Sequence, residues 1–179
     1  MHRKIVIGVM GGAKENRCSL DVAFKLGVLI ADAGWILLNG GRDTGVMNAA
    51  ARGARSRGGL TVGILPGRDR SGISLAVDIA ILTGMGDARN CINVLSSDVV
   101  IACTGGLGTL SEVALALKNE RTVILLGFEG RGPVLAPWER RGRLLRAATP
   151  GEAICLVREV LRASSRTGEP TARESGEEE

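Results

Sequence analysis

Residues 104 to 112 form a turn whose composition suits the binding of a phosphate-sized anion. The apolar run 99–103 leads directly into Thr104-Gly105-Gly106-Leu107-Gly108-Thr109, and a segment with helical spacing follows at once. A glycine-rich turn between a buried strand and a helix presents backbone N–H groups, and the positive end of the helix dipole adds to their effect. We therefore expect an anion site here, with Thr109 as the helix N-cap and its hydroxyl available to a phosphate oxygen.

A second turn of the same kind lies earlier in the chain, where Leu37-Leu38 runs into Asn39-Gly40-Gly41-Arg42-Asp43-Thr44-Gly45. Helical spacing resumes at Gly45, so either Asp43 or Thr44 is expected to cap that helix, and Arg42 is a candidate ligand contact. Two such turns in one small domain favour a shared ligand over two purely structural turns. The predicted ligand-binding residues are Gly11, Gly40, Gly41, Arg42, Thr44, Gly45, Thr104, Gly105, Gly106, Gly108 and Thr109.

Glu112 has two interpretations. The spacing Thr109-x-x-Glu112 fits a capping box, in which the glutamate returns to the backbone of the N-cap residue. A carboxylate in the first turn of this helix also faces the predicted anion site, where it could bind a ribose hydroxyl or act as an acid or base. The sequence leaves both interpretations open.

Arg89 lies in the segment that precedes the apolar run 99–103. An arginine near a glycine-rich anion site offers a bidentate contact to phosphate or a partner for Glu112. The alternative is a surface arginine paired with Asp87.

The composition limits the classes of partner. The 179 residues carry a formal charge of +4, yet residues 165–179 alone hold two Arg and five Glu. A basic body fits a phosphorylated ligand, whereas scattered arginines and the scarcity of aromatic residues disfavour nucleic-acid binding. Four widely spaced cysteines and the single histidine, His2, predict no metal site. No signal peptide or membrane span is evident, so we expect a cytoplasmic protein.

Apolar strand-like runs alternate with helix-like segments along the chain. Predicted strands cover residues 4–10, 35–38, 60–65, 77–82, 99–103 and 122–126, and predicted helices cover 16–33, 45–57, 85–95, 109–119 and 150–161. This order predicts an α/β fold, a Rossmann-like doubly wound parallel sheet in a single domain of residues 1–163. Residues 164–179 are expected to be a disordered acidic tail. In such sheets ligands bind beyond the carboxyl ends of the strands, where both turns lie.

Two common nucleotide-binding motifs are absent. The end of the first strand and the residues after it read Gly8-Val9-Met10-Gly11-Gly12, which lacks G-x-G-x-x-G spacing. The second strand leads into Asn39 instead of an acidic residue. A nicotinamide dehydrogenase is therefore disfavoured. The chain also lacks the GxxxxGK[ST] motif of P-loop NTPases.

Together these residues resemble the LOG (Lonely Guy) superfamily, long mislabelled as lysine decarboxylases. Its hallmark PGGxGTxxE corresponds to Thr104-Gly105-Gly106-Leu107-Gly108-Thr109-Leu110-Ser111-Glu112, its arginine-containing helix to Arg89, and its GGGxxGLM turn to residues 40–47. Within the superfamily, the chain is most similar to the molybdenum cofactor carrier branch, through residues 34–54, 77–100 and 112–127.

The resemblance implies a homo-oligomer, dimer or tetramer, that binds molybdenum cofactor as cargo without turning it over and uses no catalytic metal. It also implies that Arg89 and Glu112 are the pair with which LOG enzymes cleave the N-glycosidic bond of nucleoside 5′-monophosphates. Two departures bear on that activity, because those enzymes have lysine at the position of Asn90 and proline at that of Thr104.

Three hypotheses follow. The first is a carrier of molybdenum cofactor or a similar phosphorylated pterin, with Arg42 and Arg89 adding positive charge to the glycine turns. The second is a phosphoribohydrolase of LOG type that releases a free base and ribose 5-phosphate. The third is a nucleotide-sensing subunit without chemistry.

Overall fold

The computed structural model describes residues 3–128 and 133–167. Seven strands form one parallel sheet in the order β4-β3-β2-β1-β5-β6-β7. The strands are β1 (Val6–Met10), β2 (Ile36–Asn39), β3 (Thr61–Leu65), β4 (Ile79–Leu82), β5 (Val99–Cys103), β6 (Thr122–Leu126) and β7 (Leu144–Ala147). This architecture confirms the predicted single-domain, Rossmann-like doubly wound sheet.

Helices cover both faces of the sheet. They are α1 (Arg17–Asp32), α2 (Gly45–Arg55), α3 (Asn90–Leu95), α4 (Leu107–Lys118), α5 (Ala136–Arg140) and α6 (Pro150–Thr167), and a short 3₁₀ turn (Gly86–Arg89) leads into α3. One core cluster joins α1, α2 and α6 to strand residues such as Ile7 and Ile101. The other joins α3 and α4 to the opposite sides of the same strands, through residues such as Met10 and Val100. Burial on both faces explains why β5 and β6 are continuous apolar runs.

The small residues of α2 pack against α1 within the chain. A β-carbon at Gly27 would collide with the carbonyl of Ala50, and one at Gly53 would collide with the carbonyl of Phe24. These glycines therefore allow the two helices to approach closely, and an intramolecular contact accounts for the Ala/Gly-rich face of α2.

Several boundaries differ from the prediction. The elements α5 and β7 were not predicted, because the segment 133–149 contains two Pro and four Arg and β7 is a four-residue edge strand with an exposed Arg146. The predicted helix 85–95 begins with the 3₁₀ turn, and α4 begins at Leu107 instead of Thr109.

Helix α6 continues to Thr167 and so includes the first four residues of the predicted tail. The remaining tail residues, 168–179, lie outside the described residues. Over the two ranges that the structure describes, no helix combines the length and the apolar character that crossing a membrane requires.

Candidate functional site

Three loops meet at the carboxyl edge of the sheet. The N–H of Gly12, after β1, donates to the carbonyl of Thr104, after β5, over 2.9 Å. The carbonyl of Gly12 in turn accepts from the N–H of Val46, in the first turn of α2, over 3.0 Å. The loop after β1 therefore joins the two glycine turns that the sequence singled out, and they border one site.

A cleft of about 220 Å³ opens between these loops. Eight of the predicted site residues line it, namely Gly11, Gly40, Arg42, Arg89, Gly106, Gly108, Thr109 and Glu112. The other lining residues, which the sequence analysis did not assign to the site, are Val9, Met10, Gly12, Ala13, Met47, Asp87 and Asn90. Both helices α2 and α4 begin at this cleft, and their dipoles favour an anion there.

The N-terminus of α4 borders the cleft through Gly106, Gly108 and Thr109. Gly106 is its N-cap residue, and no side chain within the described residues caps the helix. Thr109, predicted as the N-cap, instead lies inside the first turn and is 3% exposed. The expectation that Thr109 is the N-cap was wrong, because the backbone becomes helical at Leu107. The N–H groups of the first turn therefore have no side-chain acceptor from a capping residue.

The remaining predicted ligand residues hold the turns in place. A β-carbon on Gly105 would lie 2.8 Å from the nitrogen of Gly12, so this glycine permits the contact between two loops. The hydroxyl of Thr104 donates to the carbonyl of Gly127 over 3.2 Å, and neither Thr104 nor Gly105 lines the cleft.

The turn after β2 contains three further predicted residues that lie behind the cleft surface. The N–H of Gly41, whose φ is +72°, donates to the Asn39 side chain over 2.8 Å. Thr44 occupies the N-cap position of α2, but its side chain makes no capping hydrogen bond. Gly45, with φ of +53°, packs against the backbone of Gly12 and Ala13. These residues shape the turn that presents Gly40 and Arg42.

Arg89 and Glu112 form a buried ion pair in the wall of the cleft. Nη1 of Arg89 lies 3.2 Å from Oε1 of Glu112, and the two side chains are 11% and 8% exposed. Glu112 makes no capping hydrogen bond, which removes the capping-box interpretation, and Arg89 pairs with Glu112 instead of Asp87. A β-carbon on Gly40 would come within 2.6 Å of Nη2 of Arg89, so glycine at position 40 makes room for the guanidinium.

Burial acts on the protonation of both partners. It raises the pKa of Glu112 above its ordinary value, against the opposing effects of the hydrogen bond from Asn93 and the charge of Arg89. It also lowers the pKa of Arg89, which the charge of Glu112 opposes. Arg42 is close enough to lower the pKa of Arg89 slightly as well, so two cations face the same space. An anion between them would relieve that repulsion.

Two asparagines, both missed as site residues, hold this pair. Asn90 accepts a hydrogen bond from Nη1 of Arg89 over 2.7 Å and donates to the hydroxyl of Ser111 over 2.9 Å. Asn93 donates to Oε1 of Glu112 over 2.8 Å. No local sequence pattern signals the role of Asn93, because its hydrogen bond joins α3 to α4. Nε of Arg89 is buried and has no hydrogen-bond partner among the described residues. Arg89 itself lines the cleft.

The cysteines contribute no evident chemistry. Cys103 is buried in the core, and burial raises the pKa of its thiol to about 12. Cys91 is half-buried, and Cys18 and Cys155 are exposed. The residues that the structure describes contain no group of histidine, cysteine and acidic side chains able to hold a metal ion.

Comparison with known proteins places this geometry in a family. The model of the SLOG cluster 4 family matches residues 4–154. The chain belongs to this family. The molybdenum cofactor binding protein from Rippkaea orientalis has a similar structure, with 50% identity, a TM-score of 0.81, and coverage of 90% of this chain and 99% of that one. The molybdenum cofactor carrier protein from Chlamydomonas reinhardtii gives 46% identity, a TM-score of 0.82, and coverage of 89% and 99%.

A more distant similarity leads to an enzyme. The cytokinin riboside 5′-monophosphate phosphoribohydrolase of Mycobacterium tuberculosis is 38% identical over 96 residues. That match covers 52% of this chain and 51% of the mycobacterial protein, so it spans about half of each.

Proposed function

We propose that this protein binds molybdenum cofactor, a phosphorylated pterin, in the cleft and holds it as cargo. The observation that carries the proposal is the sequence identity of about half between this chain and proteins that bind or carry molybdenum cofactor. The groups that line the cleft suit such a ligand. The uncapped N-terminus of α4 offers N–H groups to a phosphate, and Nε of Arg89 is a buried donor with no partner among the described residues.

The two sides of the cleft suit the two parts of such a ligand. Gly106, Gly108 and Arg89 line the cleft, where backbone N–H groups and a guanidinium would offset the desolvation of a phosphate. Met10 and Met47 provide polarizable apolar surface for a ring system and its sulfur atoms. The cofactor is cargo in this proposal, so the chain itself supplies no catalytic metal.

A binding assay tests the proposal. The cofactor is released anaerobically from a purified molybdoenzyme, mixed with the protein and passed through a desalting column, and the pterin and molybdenum that elute with the protein are measured. We expect both in the protein fraction, close to one of each per chain. Arg42→Ala should weaken retention, since Arg42 lines the cleft, whereas Arg52→Ala should not, since Arg52 is an exposed arginine in the last turn of α2. No retention by the native protein would refute the proposal.

A phosphoribohydrolase is the second candidate, favoured by the buried pair Arg89–Glu112 in the cleft wall. In this reaction Arg89 would orient the phosphate, and Glu112 would stabilise positive charge on the ribose as its bond to the base breaks. The base would leave as this bond breaks, a water molecule would add its hydroxyl to the ribose carbon, and the proton that the water loses would pass to the base. Incubation with AMP and with cytokinin riboside monophosphates should release free base, and Glu112→Ala should abolish that release.

We also propose that the protein acts in the cytoplasm as a homo-oligomer. Ile79 and Ile81 of β4 are 47% and 44% exposed, and they lie on the same face as Val62 and Ile64, their partners in β3. The outer edge of β4 has no neighbouring strand among the described residues. A second copy, related by a two-fold axis, would cover this apolar face and the edge at once.

A further inference from the structure

Both hydrogen bonds that Glu112 receives go to the same oxygen. Nη1 of Arg89 and Nδ2 of Asn93 each donate to Oε1, over 3.2 Å and 2.8 Å. Within residues 3–128 and 133–167, no hydrogen bond to Oε2 is present, and Glu112 lines the cleft. The two carboxylate oxygens therefore differ in their partners. Oε1 accepts hydrogen bonds from the protein, and Oε2 is left to accept one from a ligand or water.

The hydrogen bond to Glu112 is the one that the Asn93 side chain makes among the described residues. Its side chain is fully buried, and its backbone carbonyl accepts from the hydroxyl of Ser97 over 2.8 Å, which fixes the local turn. Its own Oδ1 is buried without a hydrogen-bond partner among the described residues. A buried amide that leaves its acceptor unpaired is costly, so the donor side of Asn93 must supply a compensating interaction.

We propose that Asn93 is a positioning residue that holds Glu112 ionised and leaves Oε2 to meet a hydrogen-bond donor of the bound ligand. The N–H···O⁻ bond from Asn93 stabilises the charged carboxylate, whereas a neutral carboxylic acid gains less from it. The charge on Glu112 in turn compensates Arg89, which burial would otherwise leave as an isolated cation. Asn93 does not line the cleft, so it acts through Glu112.

This inference rests on the proposed function and concerns which ligands the site selects. A carboxylate oxygen beside an anion cradle favours ligands that carry an N–H or O–H donor near their phosphate, as a pterin does, over simple phosphate esters. The charged groups around Glu112 are Arg89, from the 3₁₀ turn, with Asp87 and Arg42 lining the same cleft. Asn93, from α3, is the neutral donor among them.

The first experiment needs no ligand. In protein labelled with ¹³C at glutamate side chains, the Glu112 carboxyl signal is assigned by its absence in Glu112→Gln and followed against pH. Asn93→Leu, of similar volume but without a donor, should raise the titration midpoint by about one pH unit. Asn93→Asp, which places a second carboxylate beside Glu112, should raise it further.

Asn119→Leu is the matched control, because the Asn119 amide donates to the carbonyl of Leu115 at the other end of α4. This variant should leave the Glu112 midpoint unchanged. If Asn93→Leu and Asn93→Asp, both folded by circular dichroism, titrate like the native protein, the role of Asn93 is refuted.

A second measurement separates this inference from the proposed function. Binding of 6-hydroxymethylpterin phosphate is followed by its fluorescence anisotropy between pH 5 and 8. Affinity should fall as Glu112 takes up a proton, since Oε2 then loses the charge with which it accepts the donor of the pterin, and Asn93→Leu should shift that fall to higher pH. Glu112→Gln, which has no titrating carboxyl group at this position, should lack this component of the pH dependence of affinity. A shifted carboxyl titration without any binding of pterin would contradict the cargo proposal while supporting the role of Asn93.

Discussion

At the scale of single residues, the buried pair Arg89–Glu112 dominates the site. Removing one member of a buried ion pair leaves the other charge uncompensated, which costs about 3 kcal/mol or more. We expect Glu112→Ala to lower the free energy of unfolding by about that amount, measured by urea denaturation. Glu139→Ala, which breaks the exposed pair with Arg146, should cost about 1 kcal/mol or less. Equal decreases in the free energy of unfolding in the two variants would mean that the buried pair stabilises the fold no more than the exposed pair does.

The raised pKa of Glu112 predicts how stability depends on pH. Burial raises this pKa in the folded state above the ordinary value of 4.5, so the folded protein binds the proton more tightly than the unfolded chain does. Stability gained from this residue is then present below pH 4.5 and is lost as pH rises through the folded-state pKa. The difference in unfolding free energy between the native protein and Glu112→Gln should therefore fall as pH rises from 4.5 to 7. A difference that increases over this range would contradict the direction of the shift.

Sequence patterns identify these side chains but not their contacts. Arg89 and Glu112 were both predicted to belong to the site, yet spacing alone left Glu112 between a capping role and a position in the cleft. The choice between these roles depended on where α4 begins. Its N-cap residue is Gly106, whereas the sequence predicted Thr109. Asn93 was missed because its importance comes from one hydrogen bond between α3 and α4, which no local pattern reveals.

At the scale of elements, the start of α4 can be blocked without disturbing the fold. A β-carbon at Gly108 would meet no atom within 4 Å, and its φ is not positive. We expect Gly108→Asp to leave the unfolding free energy unchanged or raise it by about 0.5 kcal/mol, since an acidic residue suits a helix N-terminus. The same carboxylate should repel a phosphate and lower ligand affinity at least tenfold, measured by the retention assay.

Gly105 provides the contrasting test. Its β-carbon would lie 2.8 Å from the nitrogen of Gly12 and would also collide with the side chain of Thr109. Gly105→Ala should therefore lower the unfolding midpoint in urea, because the loops after β1 and β5 must move apart. If Gly105→Ala is as stable as the native protein, the packing of these loops is looser than the structure indicates.

At the scale of the whole molecule, the fold was predictable because each central strand is a short apolar run that glycines follow closely. The sheet edges were harder, since β7 contains an arginine and α5 is five residues long. The open face at the other edge was not predictable from periodicity. Ile79 and Ile81 look like core residues in the sequence, but α3 is too short to cover them.

That open face leads to a prediction about assembly. Ile81→Glu places a charge in the middle of the exposed apolar face, where it would be desolvated in an oligomer and solvated in a monomer. We expect light scattering to give a multiple of the chain mass for the native protein and the mass of one chain for the variant. Leu107→Glu, at a more exposed position outside this face, is the control. A native protein that is already monomeric would contradict the proposed interface.

The most direct test of the cargo proposal is the structure of the protein crystallised anaerobically with molybdenum cofactor. We predict density for one intact cofactor in the cleft, with its phosphate at the N-terminus of α4 and within hydrogen-bond distance of the Arg89 guanidinium. Cofactor bound outside the cleft, or a cleft without density at a cofactor concentration that saturates the retention assay, would contradict the account.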